Sequence, residues 1–254
     1  VLHIDVQGRG PALVLLHGWG LHGGVFALLR ARLEPHFTVH CVDLPGHGHS
    51  RHVTLPADLA GWAAAVADQV PPALWLGWSL GGLIALQAAL ERPGAVSGLA
   101  MVASSPCFVQ QPDWPGVAPG LLAGFAQQLQ HAYAQTLSAF LALDLINLGV
   151  GQPSASQLHA QLLQPGQPTP EAVQAGAQLL LHTDLRQQLP LLACPSLWLA
   201  GQRDRLVPPA AMLAASAIAP AAHHLTVAGT GHAPFLGDTA AVASALLEFQ
   251  QRLS

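Results

Sequence analysis

The residues of this chain best suited to covalent chemistry are Gly77-Trp78-Ser79-Leu80-Gly81. In the pattern G-x-S-x-G the serine sits on a sharp strand-to-helix turn that lifts its hydroxyl clear of the sheet. The flanking glycines leave room for strand and helix to approach each other. An apolar run, Leu74-Trp75-Leu76, leads in, and a helix-forming run, Leu80 to Leu86, leads out. A serine hydroxyl is a weak nucleophile near neutral pH and needs a base, itself oriented by an acid. Behind such an elbow the chain order is serine, acid, histidine. That order selects Asp204, in Gly201-Gln202-Arg203-Asp204, and His232, in Ala228-Gly229-Thr230-Gly231-His232. Each follows a strand-like run, at the edge where open α/β sheets place their ligands. His232 is expected to take the proton from Ser79 and return it to the leaving alcohol. Asp204 is expected to hold the imidazole tautomer and stabilise the imidazolium.

Rivals exist for both roles. Asp43 follows a strand but precedes the serine and sits in a Gly-rich turn, so a turn role is expected. His17 lies in an early loop, and His223 and His224 begin a strand, at the wrong end of the sheet. The acyl transition state also develops an oxyanion that needs two donors. The backbone N–H of Leu80 is the first candidate. The second is the backbone N–H of Trp19, in His17-Gly18-Trp19-Gly20, whose side chain is expected to wall the acyl pocket.

These groups must be positioned by the elements around them. Short apolar runs alternate with helical stretches, the pattern of a mostly parallel sheet flanked by helices. Strands are expected at Leu2 to Val6, Ala12 to Leu16, Thr38 to Val42, Ala73 to Leu76, Val96 to Val102, Ser196 to Ala200 and His224 to Val227. Helices are expected at Val25 to Leu33, Leu55 to Val70, Leu80 to Leu90 and Ala240 to Arg252. Between Ser105 and Asp184 no strand is legible. Leu/Ala/Gln-rich helical stretches occupy Val117–Gln130, Tyr133–Leu148, Ser154–Leu163 and Pro170–His182, punctuated by Pro and Gly. The simplest account is one α/β core, residues 1–106 and 186–254, interrupted by an inserted all-helical lid, 107–185.

Composition narrows the classes. The chain has 254 residues, of which 51% are hydrophobic and only 9% charged, against roughly 25% charged in ordinary domains. It has no lysine, and its formal charge of −4 offers no basic stripe for nucleic acid. No apolar run reaches the ~20 residues of a membrane span, and no signal peptide is visible. The three cysteines, Cys41, Cys107 and Cys194, form no C-x-x-C pair and read as core residues in a reducing cytoplasm. Among the fourteen histidines, His47, His49 and His52 cluster, as do His223 and His224. None shows a carboxylate or cysteine partner at metal-ligand spacing, so no metal is expected and most read as surface or loop residues.

Over its whole length the chain resembles the α/β-hydrolase superfamily, and within it the pimeloyl-[acyl-carrier protein] methyl ester esterases of biotin synthesis. The resemblance rests on Leu15-Leu16-His17-Gly18-Trp19-Gly20-Leu21, Val42-Asp43-Leu44-Pro45-Gly46, Trp75-Leu76-Gly77-Trp78-Ser79-Leu80-Gly81-Gly82-Leu83 and Val102-Ala103-Ser104-Ser105-Pro106-Cys107-Phe108. It continues through Asp113-Trp114-Pro115-Gly116, Leu122-Ala123-Gly124-Phe125, Phe140-Leu141-Ala142-Leu143, Asp184-Leu185-Arg186-Gln187 and His232-Ala233-Pro234-Phe235. It implies an α/β-hydrolase fold, hydrolysis of the methyl ester at the far end of a carrier-bound pimeloyl chain, activity on short esters, and no cofactor. It also implies that Trp19, Ser79, Leu80, His232 and the lid stretch Phe140, Leu141, Ala142, Leu143 and Asp144 line the substrate site. A monomer is expected.

One departure stands out. The family's lid carries basic residues that receive the acidic carrier protein, whereas Ser105 to Leu185 here contains no Lys or Arg, only Asp113, Asp144, Glu171 and Asp184. Asp144 stands where the family tends to have a neutral polar residue. Charge complementarity sets docking rate and orientation, so this lid speaks against carrier docking while leaving ester hydrolysis untouched. A broad short-chain carboxylesterase is the alternative within the class, and a non-catalytic ligand-binding hydrolase domain the alternative outside it. Dehalogenases and epoxide hydrolases of this fold need an aspartate at the elbow, which Ser79 excludes; cofactor-free haloperoxidases and C–C bond hydrolases share the triad.

Overall fold

A computed structural model of the chain describes residues 1–144 and 162–253 together with Gln157 and Ala160, with only the backbone described for 140–144. The strands are β1 (Ile4–Gly8), β2 (Ala12–Leu16), β3 (Thr38–Val42), β4 (Ala73–Trp78), β5 (Val96–Val102), β6 (Ser196–Gly201) and β7 (Ala222–Val227). They form one sheet in the order β1-β3-β2-β4-β5-β6-β7. Only β1 is antiparallel to its neighbour, β3; the remaining pairings are parallel. Parallel strands need helical crossovers that cover both faces. That is why the central strands read as unbroken apolar runs: β4 and β6 are buried at every position.

The covering helices are α1 (Ala27–Leu33), α2 (Leu59–Ala67), α3 (Leu80–Glu91), α4 (Pro119–His131), α5 (Tyr133–Asp144), α6 (Pro170–His182), α7 (Pro209–Ile218) and α8 (Thr239–Leu253). Several ends differ from expectation for local reasons. The helix expected from Val25 opens as a 3-10 turn, Gly23–Phe26, whose cap is the His22 ring accepting from the Gly24 N–H. The helix expected from Leu55 starts only at Leu59, because Asp58 caps it by accepting from the Gly61 N–H. Helix α7 has no counterpart in the sequence reading. Most of the expected helix at Ser154–Leu163 lies outside the described residues. Trp62, Trp75, Trp78 and Trp198 are the largest fully buried side chains.

Between β5 and β6 the described chain forms no strand of the sheet, only isolated bridges. The two ends of this excursion are stitched together. Cys107 pairs with Asp184 as an antiparallel bridge, and the Leu185 N–H donates to the Pro106 carbonyl at 2.9 Å. No helix among the described residues is long and apolar enough to cross a membrane.

Candidate active site

Ser79 follows β4 directly and caps α3 with φ 53° and ψ −120°. A non-glycine residue in that region is strained, and the packing around the turn over-determines it. A Cβ on Gly77 would sit 2.3 Å from the Gly81 carbonyl oxygen, and one on Gly81 would sit 2.3 Å from that of Leu16. The Ser79 carbonyl accepts from the Ser104 hydroxyl at 2.7 Å, and its N–H donates to Val102 at 3.0 Å. Both G-x-S-x-G glycines are therefore required by the closeness of α3 to the sheet.

The structure brings Ser79, His232 and Asp204 into one chain of hydrogen bonds. His232 Nε2 lies 2.9 Å from Ser79 Oγ, and His232 Nδ1 lies 2.8 Å from Asp204 Oδ2. The other carboxylate oxygen of Asp204 accepts from the N–H groups of Leu206 at 2.8 Å and Val207 at 2.9 Å. Asp204, being acceptor-only when ionised, makes Nδ1 the protonated ring nitrogen and leaves Nε2 to accept from the serine. All three residues are buried. The Trp78 indole N–H holds the His232 carbonyl at 2.7 Å. The loops that carry acid and histidine are joined by a 2.8 Å bond from the Arg203 N–H to the Thr230 carbonyl.

The Leu80 N–H is at the first turn of α3, among the donors a helix leaves free. The Trp19 N–H has no main-chain acceptor among the described residues. The Trp19 loop is braced from several sides. His17 Nδ1 donates to the Gly18 carbonyl at 2.8 Å, while its Nε2 accepts from the Leu44 N–H at 2.9 Å. His47 donates to the Pro45 carbonyl at 2.9 Å and accepts from the Gly20 N–H at 3.4 Å. The partners are main-chain groups with fixed roles, so each ring is held as one neutral tautomer. Burial pushes the pKa of His17 well below its ordinary value and that of His47 down to about 4. His22 is bound in the same way, between the Gly24 N–H and the Leu162 carbonyl. These three loop histidines are buried: a ring whose two nitrogens both meet main-chain groups can be buried without leaving an unpaired polar atom.

Above Ser79 lies a cavity of about 40 Å³ lined by Trp19, Phe108, Leu122, Phe125, Leu129, Leu137, Leu180 and Leu206 beside Ser79 and His232. Of the residues expected at the substrate site, Trp19, Ser79 and His232 line it; Leu80 is fully buried and is not among the lining residues. The side chains of Phe140, Leu141, Ala142, Leu143 and Asp144 lie outside those described. The apolar walls from α4 were missed, although Leu122, Phe125 and Leu129 repeat at i, i+3 and i+7, the spacing of one helix face. The remaining rivals sit elsewhere. Asp43 accepts from the N–H groups of Gly23 at 2.7 Å and His49 at 2.8 Å, clamping the turn after β3. His223 and His224 lie within β7.

A strained serine on a strand-to-helix turn, a relay to a buried carboxylate and a sheet of this topology together define a class. The chain belongs to the alpha/beta hydrolase family, whose model matches residues 13–245. It is 55% identical over 249 residues, 98% of each chain, to the pimeloyl-[acyl-carrier protein] methyl ester esterase of Xanthomonas oryzae pv. oryzae (strain MAFF 311018). It is 53% identical over 254 residues, 100% of this chain and 98% of the relative, to the protein of that name from Stenotrophomonas maltophilia (strain K279a). Among solved structures it superposes on the esterase EaEST from Exiguobacterium antarcticum with a TM-score of 0.85, at 21% identity and covering 98% of this chain and 95% of the other. With the esterase RhEst1 from Rhodococcus sp. ECU1013 the TM-score is 0.78, at 26% identity over 100% and 95% of the two chains.

Proposed function

We propose that this protein is a carboxylic-ester hydrolase that demethylates pimeloyl-[acyl-carrier protein] methyl ester in biotin synthesis. The observation that carries the reading is the hydrogen-bonded chain from Ser79 through His232 to Asp204 at the floor of an apolar cavity. The substrate is suggested by the names of the relatives more than half identical to it. Ser79 Oγ bonds to the ester carbonyl carbon as its proton passes to His232 Nε2. The tetrahedral oxyanion rests on the N–H groups of Trp19 and Leu80. It collapses, the carbon–methoxy bond breaks, and the leaving oxygen takes the proton from His232 and departs as methanol. Water then repeats the sequence on the acyl-serine, releasing the free acid and restoring Ser79. No step requires a cofactor or metal. Residues 107–185 serve as the lid in this reading, and the cytoplasm is the proposed compartment, in keeping with three free, buried cysteines.

A second reading is favoured by the lid itself. It carries no Lys or Arg. Arg186, just beyond it, is ion-paired to Asp184 and Asp113. Without a positive lid, a broad short-chain esterase would work from the same site. The experiment is turnover of pimeloyl-carrier methyl ester against free short methyl esters across a range of salt, together with restoration of biotin synthesis in cells lacking their own methyl ester esterase. Preference for the carrier substrate and growth without biotin support the first reading. Equal rates on both, no salt dependence and no growth sink it in favour of the second.

A further inference from the structure

A second constellation lies away from the serine. Asp43 is 3% exposed, and no side chain among the described residues forms an ion pair with its carboxylate. Among the described residues its oxygens accept only the main-chain N–H groups of Gly23 and His49. An unpaired buried carboxylate is costly and is normally matched by a cation or a metal. Facing it are the exposed imidazoles of His3 and His49, with ring centroids 4.7 Å apart. Among the described residues neither ring makes a hydrogen bond. One ligand atom from each of His3, Asp43 and His49 lies within 4.8 Å of the other two. The three border a polar cavity of about 320 Å³, which shares no lining residue with the cavity above Ser79. The neighbouring groups are already committed: Asp5 is paired with Arg30, and both nitrogens of His22 are used.

From this geometry we infer that His3, Asp43 and His49 form a binding site for a zinc-class divalent cation, with water completing the coordination. Two imidazoles and one carboxylate suit zinc and its transition-metal neighbours rather than calcium or magnesium, which take oxygen ligands. Bonds of about 2.0–2.2 Å require the ligand atoms to close in from their present separation of up to 4.8 Å; the carboxylate is held by two main-chain N–H groups, so the exposed rings would make that movement. The ion would fasten the segment before β1 to the turn after β3. It would not touch the reacting atoms.

The test is calorimetric titration of zinc into the untagged full-length protein at pH 7.5, with magnesium as the control, and into H3A and H49A, both exposed positions outside the catalytic machinery. The expected result is one zinc per chain, no magnesium binding, and affinity that falls with pH as the imidazoles protonate. Losing a partner merely outside the coordination shell costs about 10–100-fold in affinity, so each substitution should weaken binding at least tenfold. Circular dichroism of the variants confirms that they fold. No stoichiometric zinc uptake by the wild-type chain, or uptake unchanged in both variants, overturns the site; either result would leave Asp43 as a turn clamp alone.

Discussion

The hydroxyl of Tyr133, on α5 between β5 and β6, donates a 3.0 Å hydrogen bond to the carbonyl of Gly20, the residue after Trp19. The same peptide loop is tied to α6, because the Trp19 indole N–H donates to the Val173 carbonyl at 3.0 Å. Helices α5 and α6 therefore hold the loop that carries the proposed second oxyanion donor. Tyr133→Phe removes one buried bond, worth about 1 kcal/mol. If that energy positions the Trp19 N–H, kcat on a short ester falls about fivefold with KM little changed. A lowered melting temperature with unchanged kcat would make Tyr133 purely structural.

The proposed proton relay makes two graded predictions. Ser79→Ala removes the proposed nucleophile and should lower kcat about a millionfold, as in serine proteases. Asp204→Asn retains the hydrogen bond but stabilises the wrong imidazole tautomer, and should cost about four orders of magnitude. Steady-state hydrolysis of a chromogenic acetate ester reads both. An Asp204→Asn enzyme within tenfold of the wild type would remove Asp204 from the mechanism.

Acid should unfold the protein partly through its buried histidines. Burial holds the folded pKa of His47 near 4, below the ordinary 6.5 of the unfolded chain. Between those values the unfolded state binds the extra proton, so stability rises with pH there. The contribution is complete above pH 6.5 and is lost as pH falls toward 4, at up to about 1.4 kcal/mol per pH unit. His17 acts in the same direction. Urea denaturation from pH 7 to 4 should show a shallower slope in His47→Gln. An identical slope would mean that His47 does not couple folding to protons.

Gly176, on α6, is pressed against Trp19: a Cβ there would lie 2.5 Å from Trp19 Cδ1. Gly176→Ala should therefore cost about 1–3 kcal/mol by overpacking, despite alanine's better helix propensity. Denaturation midpoints measure it. A more stable variant would show that α6 can yield at this contact.

Much of this was legible before folding. The candidate nucleophile, acid and histidine follow from residue types placed just past apolar runs, and the sheet-forming runs announce themselves because buried parallel strands must be continuously apolar. The predicted strand at Ala73 to Leu76 needed only two more residues to reach the elbow. Other features gave no local signal. The α4 stripe Leu122, Phe125 and Leu129 was visible as a helix face, but nothing in it said that the face would cover Ser79 rather than pack on another helix. His47 read as one more loop histidine, because burial depends on carbonyls and N–H groups supplied by neighbours in space.

By itself the sequence determined the fold class, the elbow at Ser79 and the order of its candidate partners. These depend on residue period and on short motifs, which are local properties of the chain. Tertiary structure alone decided which distant groups meet. Antiparallel pairing sets Ile4 against Val42, and the Asp43 N–H then donates to the His3 carbonyl at 3.0 Å. That register carries His3 across the sequence to Asp43 and His49, and the packing of α5 and α6 likewise carries Tyr133 and Val173 to the Trp19 loop. Contacts of this kind arise from strand register and packing, and neither is written in the spacing of the residues that make them.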